Sequence, residues 1–160
     1  MSHEEHSNVA SREQVKILIA SDHGGFDLKE SIKRRLSHIE FIDVGTHDRE
    51  PCDYPDPIAI ACDRLRSGEA DRAIVICGTG IGAAIAANKT AGIRAALCCN
   101  EYMAEMSRRH NDANVLALGA RVLGEELALR IIERWIATPF EGGRHQRRID
   151  KIHSLEGRRS

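Results

Sequence analysis

The 160-residue sequence carries almost no net charge, with 23 Lys and Arg against 24 Asp and Glu. A chain so balanced has no global field for nucleic acid or an acidic membrane surface, and neither is expected as a partner. It also lacks any apolar run near the length that crosses a bilayer, and residues 1–14 are polar, without the hydrophobic stretch of a secretory signal. No C-x-x-C pair occurs. The five cysteines, Cys52, Cys62, Cys77, Cys98 and Cys99, are odd in number and irregularly spaced. That excludes a patterned zinc site and a thioredoxin-type motif, and free thiols fit a reducing cytoplasm. There is no internal repeat, low-complexity segment or second domain. Residues 1–14 are expected to be a disordered tail and residues 15–157 one domain, long enough to bury a core without staples. The one locally basic region, Arg144 to Arg159, reads on charge alone as a solvated helix face.

Short apolar runs alternate with amphipathic segments. "VKILIAS" (Val15–Ser21) reads as a strand, and in "FDLKESIKRRL" Leu28, Ile32 and Leu36 fall on one helix face. "FIDVG" (Phe41–Gly45) is a second strand; a Pro-containing loop then leads to a helix around Ile58–Arg66, stopped by Gly68. "AIVIC" (Ala73–Cys77) is continuously apolar, as in a strand covered on both faces, and a small-residue helix follows over Ile81–Lys89. "IRAALCC" and "NVLALG" are further strands, separated by a helix over Glu101–Arg108. "GEELALRIIERWIA" places Leu127, Ile131 and Trp135 on one helix face, and a last helix is expected over Glu141–Ser154. The alternation predicts an α/β fold: a Rossmann-like three-layer sandwich with a five-stranded parallel sheet. Such folds bind ligands beyond the carboxyl ends of their strands.

The segments expected there are the chemically rich ones: "SDHGG", "GTHDREPCDYPD", "CGTGIG" and "LGAR". Gly78, Gly80 and Gly82 let the backbone approach a ligand and aim N–H groups at it, an anion cradle at a helix start. The same stretch fits the dinucleotide pattern G-x-G-x-x-A. That fingerprint belongs after a first strand, with an acidic residue about 20 positions on. Here it follows the third strand, and Glu101 is expected to open a helix. Cys77 is either a small core residue or a thiol whose thiolate the neighbouring N–H groups favour, able to act as base or nucleophile. His110-Asn111, in "SRRHNDANV", lies in a loop-like context before the last strand. It is either an idle surface histidine or an imidazole that gives and takes a proton. Arg144 and Arg148, four apart in "EGGRHQRR", share a helix face and can grip a phosphate. Together these are the parts of a proton-transfer site with a phosphate clamp.

In order and spacing, "SDHGG", "DYPD", "ICGTGIG", "AANK-AGIRAA", "SRRHND-NVLALGAR" and "EGGRHQRR" resemble the type B ribose-5-phosphate isomerases. That family also takes in the galactose-6-phosphate isomerase subunits, and the similarity runs from Val15 to Ile152. The resemblance implies interconversion of D-ribose 5-phosphate and D-ribulose 5-phosphate without metal or organic cofactor. It implies that Cys77 is the general base between C2 and C1 and that His110 opens the furanose ring with Asp22. Asp22, His23 and Tyr54 would contact sugar or phosphate. Backbone N–H groups of Gly78, Thr79, Gly80, Ile81 and Gly82, with Asn111, would hold the enediolate oxygens. Arg121, Arg144 and Arg148 would bind the phosphate. Where one subgroup has a glutamate after the glycine loop, this chain has Ala83-Ala84, which places it with the cysteine users. The resemblance further implies a site between two subunits, hence a homodimer or a dimer of dimers. The tail before Val15 lies outside the resemblance, and Cys52 reads as a passive loop residue. Two other readings stand beside this one. The first is isomerisation of a six-carbon sugar phosphate such as allose or galactose 6-phosphate, against which a chain holding Cys77, His110 and the arginines together is self-sufficient. The second is a non-catalytic module for a nucleotide or phosphosugar, needing the glycine loop and arginines but neither Cys77 nor His110.

Overall fold

In the structure, a computed structural model describing residues 14–158, strands and helices alternate along the chain. The strands are β1 (Lys16–Ser21), β2 (Glu40–Gly45), β3 (Arg72–Cys77), β4 (Ala95–Leu97) and β5 (Val115–Gly119). All five pair in parallel, as the sequence pattern predicts, and the structure adds their order, β2-β1-β3-β5-β4. The helices are α1 (Phe26–Arg35), α2 (Pro55–Arg66), α3 (Ile81–Ala87), α4 (Glu101–Asn111), α5 (Glu125–Ala137) and α6 (Arg144–His153).

Strand side chains alternate between two cores. Ile17, Ile19, Ile74, Ile76, Leu116 and Leu118 face α1, α4 and α5, where Ile131 and Trp135 are fully buried and Leu127 partly so. Leu18, Val75, Cys77, Val115 and Ala117 face α2 and α3, against Ile58, Cys62, Ala83 and Ala87. Both faces are covered, which is why "AIVIC" shows no polar alternation. The stripe read on α1 is in place, with Ile32 and Leu36 buried and Leu28 packed at its edge.

Several boundaries differ from the sequence reading, each for a local reason. The helix expected to stop at Arg108 runs on to Asn111, so His110 and Asn111 belong to its last turn and not to a loop. Asp112, in the left-handed conformation at φ 45°, ends it, while the Arg108 guanidinium reaches the Asp112 carboxylate at 2.9 Å. The last helix starts at Arg144 rather than Glu141, because Gly142 and Gly143 both hold positive φ. The β4 strand keeps three residues as the edge of the sheet, and α3 stops at Ala87, where the Asn88 side chain turns to pair with the Ala95 backbone. The tail expected over residues 1–14 lies, but for Gln14, outside the described residues.

One charge is buried where β2 meets α1. Lys29 is fully buried; its Nζ donates to both carboxylate oxygens of Asp43, at 2.6 and 2.8 Å, and to the Thr46 carbonyl at 2.6 Å. Lys33 adds a bond to Asp43 at 2.7 Å. Burial by itself would raise the Asp43 pKa, but bonds from Lys29, Lys33 and the Gly45 N–H outweigh it and hold the carboxyl below its usual range. Stability from this carboxylate is therefore complete above about pH 4, its unfolded value, and lost as pH falls through the lowered native one. Lys29→Ala should cost about 3 kcal/mol, since it removes the buried partner of Asp43 and leaves only the partly exposed Lys33 to pair with that carboxylate. Urea unfolding at pH 7 measures this, and a loss under about 1 kcal/mol would contradict the assignment.

Candidate active site

The connection after β1 leads outward to β2, whereas the one after β3 leads the other way, across β5 to β4. Where neighbouring strands send their chains apart, a crevice opens beyond their carboxyl ends. Asp22 leaves β1 into it. Its N–H donates to the Ile76 carbonyl at 3.2 Å, and its Oδ1 accepts from the Gly25 N–H at 2.9 Å, which caps a short turn over His23–Gly25. His23 Nδ1 accepts the Cys52 N–H at 3.2 Å, tying the loop after β1 to the one after β2 and leaving Nε2 as the donor nitrogen.

Cys77 ends β3 at 4% exposure, and its Sγ accepts the Gly80 N–H at 3.2 Å. The loop after β5 fixes this segment from behind, with Ala120 N–H donating to the Cys77 carbonyl and Arg121 N–H to that of Gly78, both at 2.9 Å. Gly80 holds φ +79°, and a Cβ there would lie 2.6 Å from Leu97 Cδ1 and 2.8 Å from the Leu118 carbonyl carbon. Nothing larger fits that turn. A Cβ on Gly82 would come within 2.6 Å of Tyr54 Cζ, so the tyrosine ring lies directly over the loop. The Arg121 guanidinium lies over Gly78, 3.2 Å from where a Cβ would stand. Asp22, Tyr54, Cys77, Thr79, Ile81 and Arg121 border a cleft of about 490 Å³. With only seven residues, α3 adds little dipole, so the N–H groups of the loop make the cradle.

The remaining expected residues form a second group. His110 and Asn111 close α4 just before β5, and the Asn114 carbonyl that follows accepts from Ala73 at the start of β3. Ala73 pairs with Val115 and Cys77 with Gly119, so the strands run four residue steps between the two sites. At 3.3 Å per residue that is about 13 Å, with His110 at the amino edge of the sheet and Cys77 at its carboxyl edge. His110 stacks on His145, ring centroids 4.2 Å apart and planes 11° from parallel. Arg144 opens the same helix, with Arg148 one turn on. Burial, then the nearby His110 and Arg144, hold the His145 pKa below its ordinary value.

Asp22, His23, Tyr54, Cys77, the Gly78–Gly82 loop and Arg121 thus come together, while His110, Asn111, Arg144 and Arg148 gather elsewhere on the same chain. The sequence reading missed His145 and Glu141, which flank His110. Their only sequence signal is the four-residue spacing from Glu141 to the histidine of "GGRH". Beside the cleft, Ile81 and Ile85 stand one helical turn apart at 54% and 58% exposure, an apolar rim that periodicity did not flag. Gly80→Ala should lower stability by roughly 1–3 kcal/mol, the cost of a strained non-glycine backbone. Chemical denaturation measures it, and wild-type stability would contradict the close packing described.

The chain resembles known proteins throughout this region. A family model described as Ribose/Galactose Isomerase matches residues 17–152. Ribose-5-phosphate isomerase B of Escherichia coli (strain K12) is 48% identical over 147 residues, 91% of this chain and 99% of that protein. Among solved structures, Clostridium thermocellum ribose-5-phosphate isomerase B superposes with a TM-score of 0.87 at 56% identity, covering 88% of this chain and 97% of the other. The Mycoplasma genitalium ribose-5-phosphate isomerase B with bound ribulose-5-phosphate gives a TM-score of 0.84 at 40% identity, over 90% and 97%.

Proposed function

We propose a mechanism for a chain that belongs to the Ribose/Galactose Isomerase family, in which Cys77 is the base and a second copy completes the site. The chain interconverts D-ribose 5-phosphate and D-ribulose 5-phosphate. The observation that carries the mechanism is the buried Cys77 lining the crevice, its Sγ accepting the Gly80 N–H from the same loop that offers its other N–H groups.

The sugar is stored as a furanose that hides its carbonyl, so ring opening comes first. His110, with Asp22, moves the proton from the C1 hydroxyl to the ring oxygen. The C2 proton of the open aldose is only weakly acidic, so its removal needs a poised base and stabilised oxygens. The Cys77 thiolate takes that proton, and charge develops on O1. Backbone N–H groups from Gly78 to Gly82, with Asn111, stabilise it in place of a metal ion. Cys77 then returns the proton to C1 while the O2 proton passes to O1, giving the ketose. His23 and Tyr54 hold the sugar, and Arg121, Arg144 and Arg148 the phosphate. The Mycoplasma genitalium relative, with ribulose-5-phosphate bound, supports a pentose phosphate as ligand of the shared fold.

His110 and Cys77 of one chain stand at opposite edges of its sheet, too far apart to serve one sugar. A two-fold dimer resolves this by bringing the His110, Arg144 and Arg148 group of each copy to the Cys77 crevice of the other. The exposed Ile81 and Ile85 support that contact, since burying the half of each that is still exposed would contribute about 1–1.5 kcal/mol. Pairing of dimers into a tetramer is compatible with the same contact. The five free cysteines support a reducing, cytoplasmic setting. No described helix is long and apolar enough to cross a membrane.

Conversion of ribose 5-phosphate to ribulose 5-phosphate in EDTA tests the reading. Wild type should turn over, and folded Cys77→Ala should lose roughly 10²–10⁴-fold in kcat, the usual contribution of a positioned base. Turnover surviving in the variant would overturn Cys77 as base. A wild type active only on six-carbon sugar phosphates would overturn the pentose substrate.

A further inference from the structure

We propose that His110, His145 and Glu141 form a binding site for a borderline-soft divalent metal ion such as Zn²⁺, and that its occupation inhibits the isomerase by withdrawing His110. The inhibition rests on the role proposed above for His110; the binding does not.

Each of the three residues offers a ligand atom, and all three atoms lie within 4.8 Å of one another. The telling atom is His145 Nε2, which is buried and has no hydrogen-bond partner. It faces Glu141 Oε1 at 4.0 Å, from a side chain only 4% exposed. That gap is too long for a hydrogen bond. Around a tetrahedral Zn²⁺, bonds of about 2.0–2.2 Å place two such ligand atoms about 3.4 Å apart, so a closure of roughly half an ångström makes this pair two ligands of one ion. Buried polar atoms are rarely left unpaired, and a metal ion would give this nitrogen a partner.

The carboxylate is already aimed. Arg109 Nε holds Glu141 Oε2 at 3.1 Å, and the Glu141 N–H donates to the Arg109 carbonyl at 3.1 Å, so Oε1 stays turned toward His145. His110 is half-buried and makes no side-chain hydrogen bond among the described residues, so its ring can turn out of the stack to complete the set. Two imidazoles and one carboxylate form a zinc donor set that leaves a position for water. Arg109, Arg144 and Arg148 oppose a cation nearby, which suits a reversible inhibitory ion and not a resident cofactor. A His110 ring bound to metal cannot carry the ring-opening proton, so inhibition should compete with the sugar phosphate.

The test uses the full chain, freed of metal, and Glu141→Gln, an exposed change outside the proposed proton-transfer and phosphate-binding residues. Co²⁺ serves as the visible probe and Zn²⁺ as the inhibitor. Wild type should give Co²⁺ bands without a thiolate charge-transfer band, and Zn²⁺ should inhibit turnover reversibly by EDTA. Glu141→Gln should keep its uninhibited activity yet need at least about tenfold more Zn²⁺, since even groups behind a metal ligand are worth 10–100-fold in affinity. Equal inhibition of both proteins, or Co²⁺ bound only with the thiolate signature of Cys52, Cys77 or Cys99, would overturn the proposal. Co²⁺ bands weakened by Glu141→Gln in a protein with no turnover would uphold the site and contradict only the function assigned to His110.

Discussion

Strands that all run one way oblige the helices between them to run back, and the rest of the structure depends on that polarity. Every strand delivers its last residues to the same edge of the sheet, so the loops carrying Asp22, Cys77 and Arg121 converge without long insertions. Each helix that leads to a further strand delivers its last residues to the opposite edge, which is where α4 leaves His110. A motif that reads as one stretch of chemistry in sequence is divided in space by the fold. In the proposed mechanism the reaction uses both parts, and the unit of function we propose is therefore a dimer.

Within the crevice, precision comes from the backbone more than from side chains. The loop after β5 pins the loop after β3 through the Cys77 and Gly78 carbonyls. That fixes where the Gly80 N–H points, and it points at the Cys77 sulfur. The tight turn at Gly80 and the Tyr54 ring over Gly82 leave room for no side chain on either glycine. Lys29 and Asp43 act further out: their buried pair holds the end of β2 and, through the Thr46 carbonyl, the start of the loop that leads to Tyr54.

The sheet was legible because its physics is local. A continuously apolar "AIVIC" and a period-four stripe on α1 each have one structural reading, and both hold. The carboxyl-edge group was legible too, since strand ends are where such folds place chemistry. Its counterpart was not. "HNDAN" looks like a loop because Asn and Asp favour turns, yet the Arg108–Asp112 pair and the Arg94 guanidinium on the Asn111 and Asp112 carbonyls hold the helix through its first two residues. The stack of His145 on His110 joins residues 35 positions apart, and no periodicity encodes it. The family resemblance supplied roles for Cys77 and His110 that composition and spacing had left open, and the family comparison agrees on the reaction.

The central claim is that each active site takes Cys77 from one copy and His110 from another. Inactive Cys77→Ala and His110→Ala proteins, unfolded together and refolded, test it most directly. If the account holds, the mixture regains ribose 5-phosphate isomerase activity at about a quarter of the wild-type level, because half the dimers are mixed and each mixed dimer holds one intact site. A mixture as inactive as its two parents, with mixed dimers demonstrably formed, would contradict it.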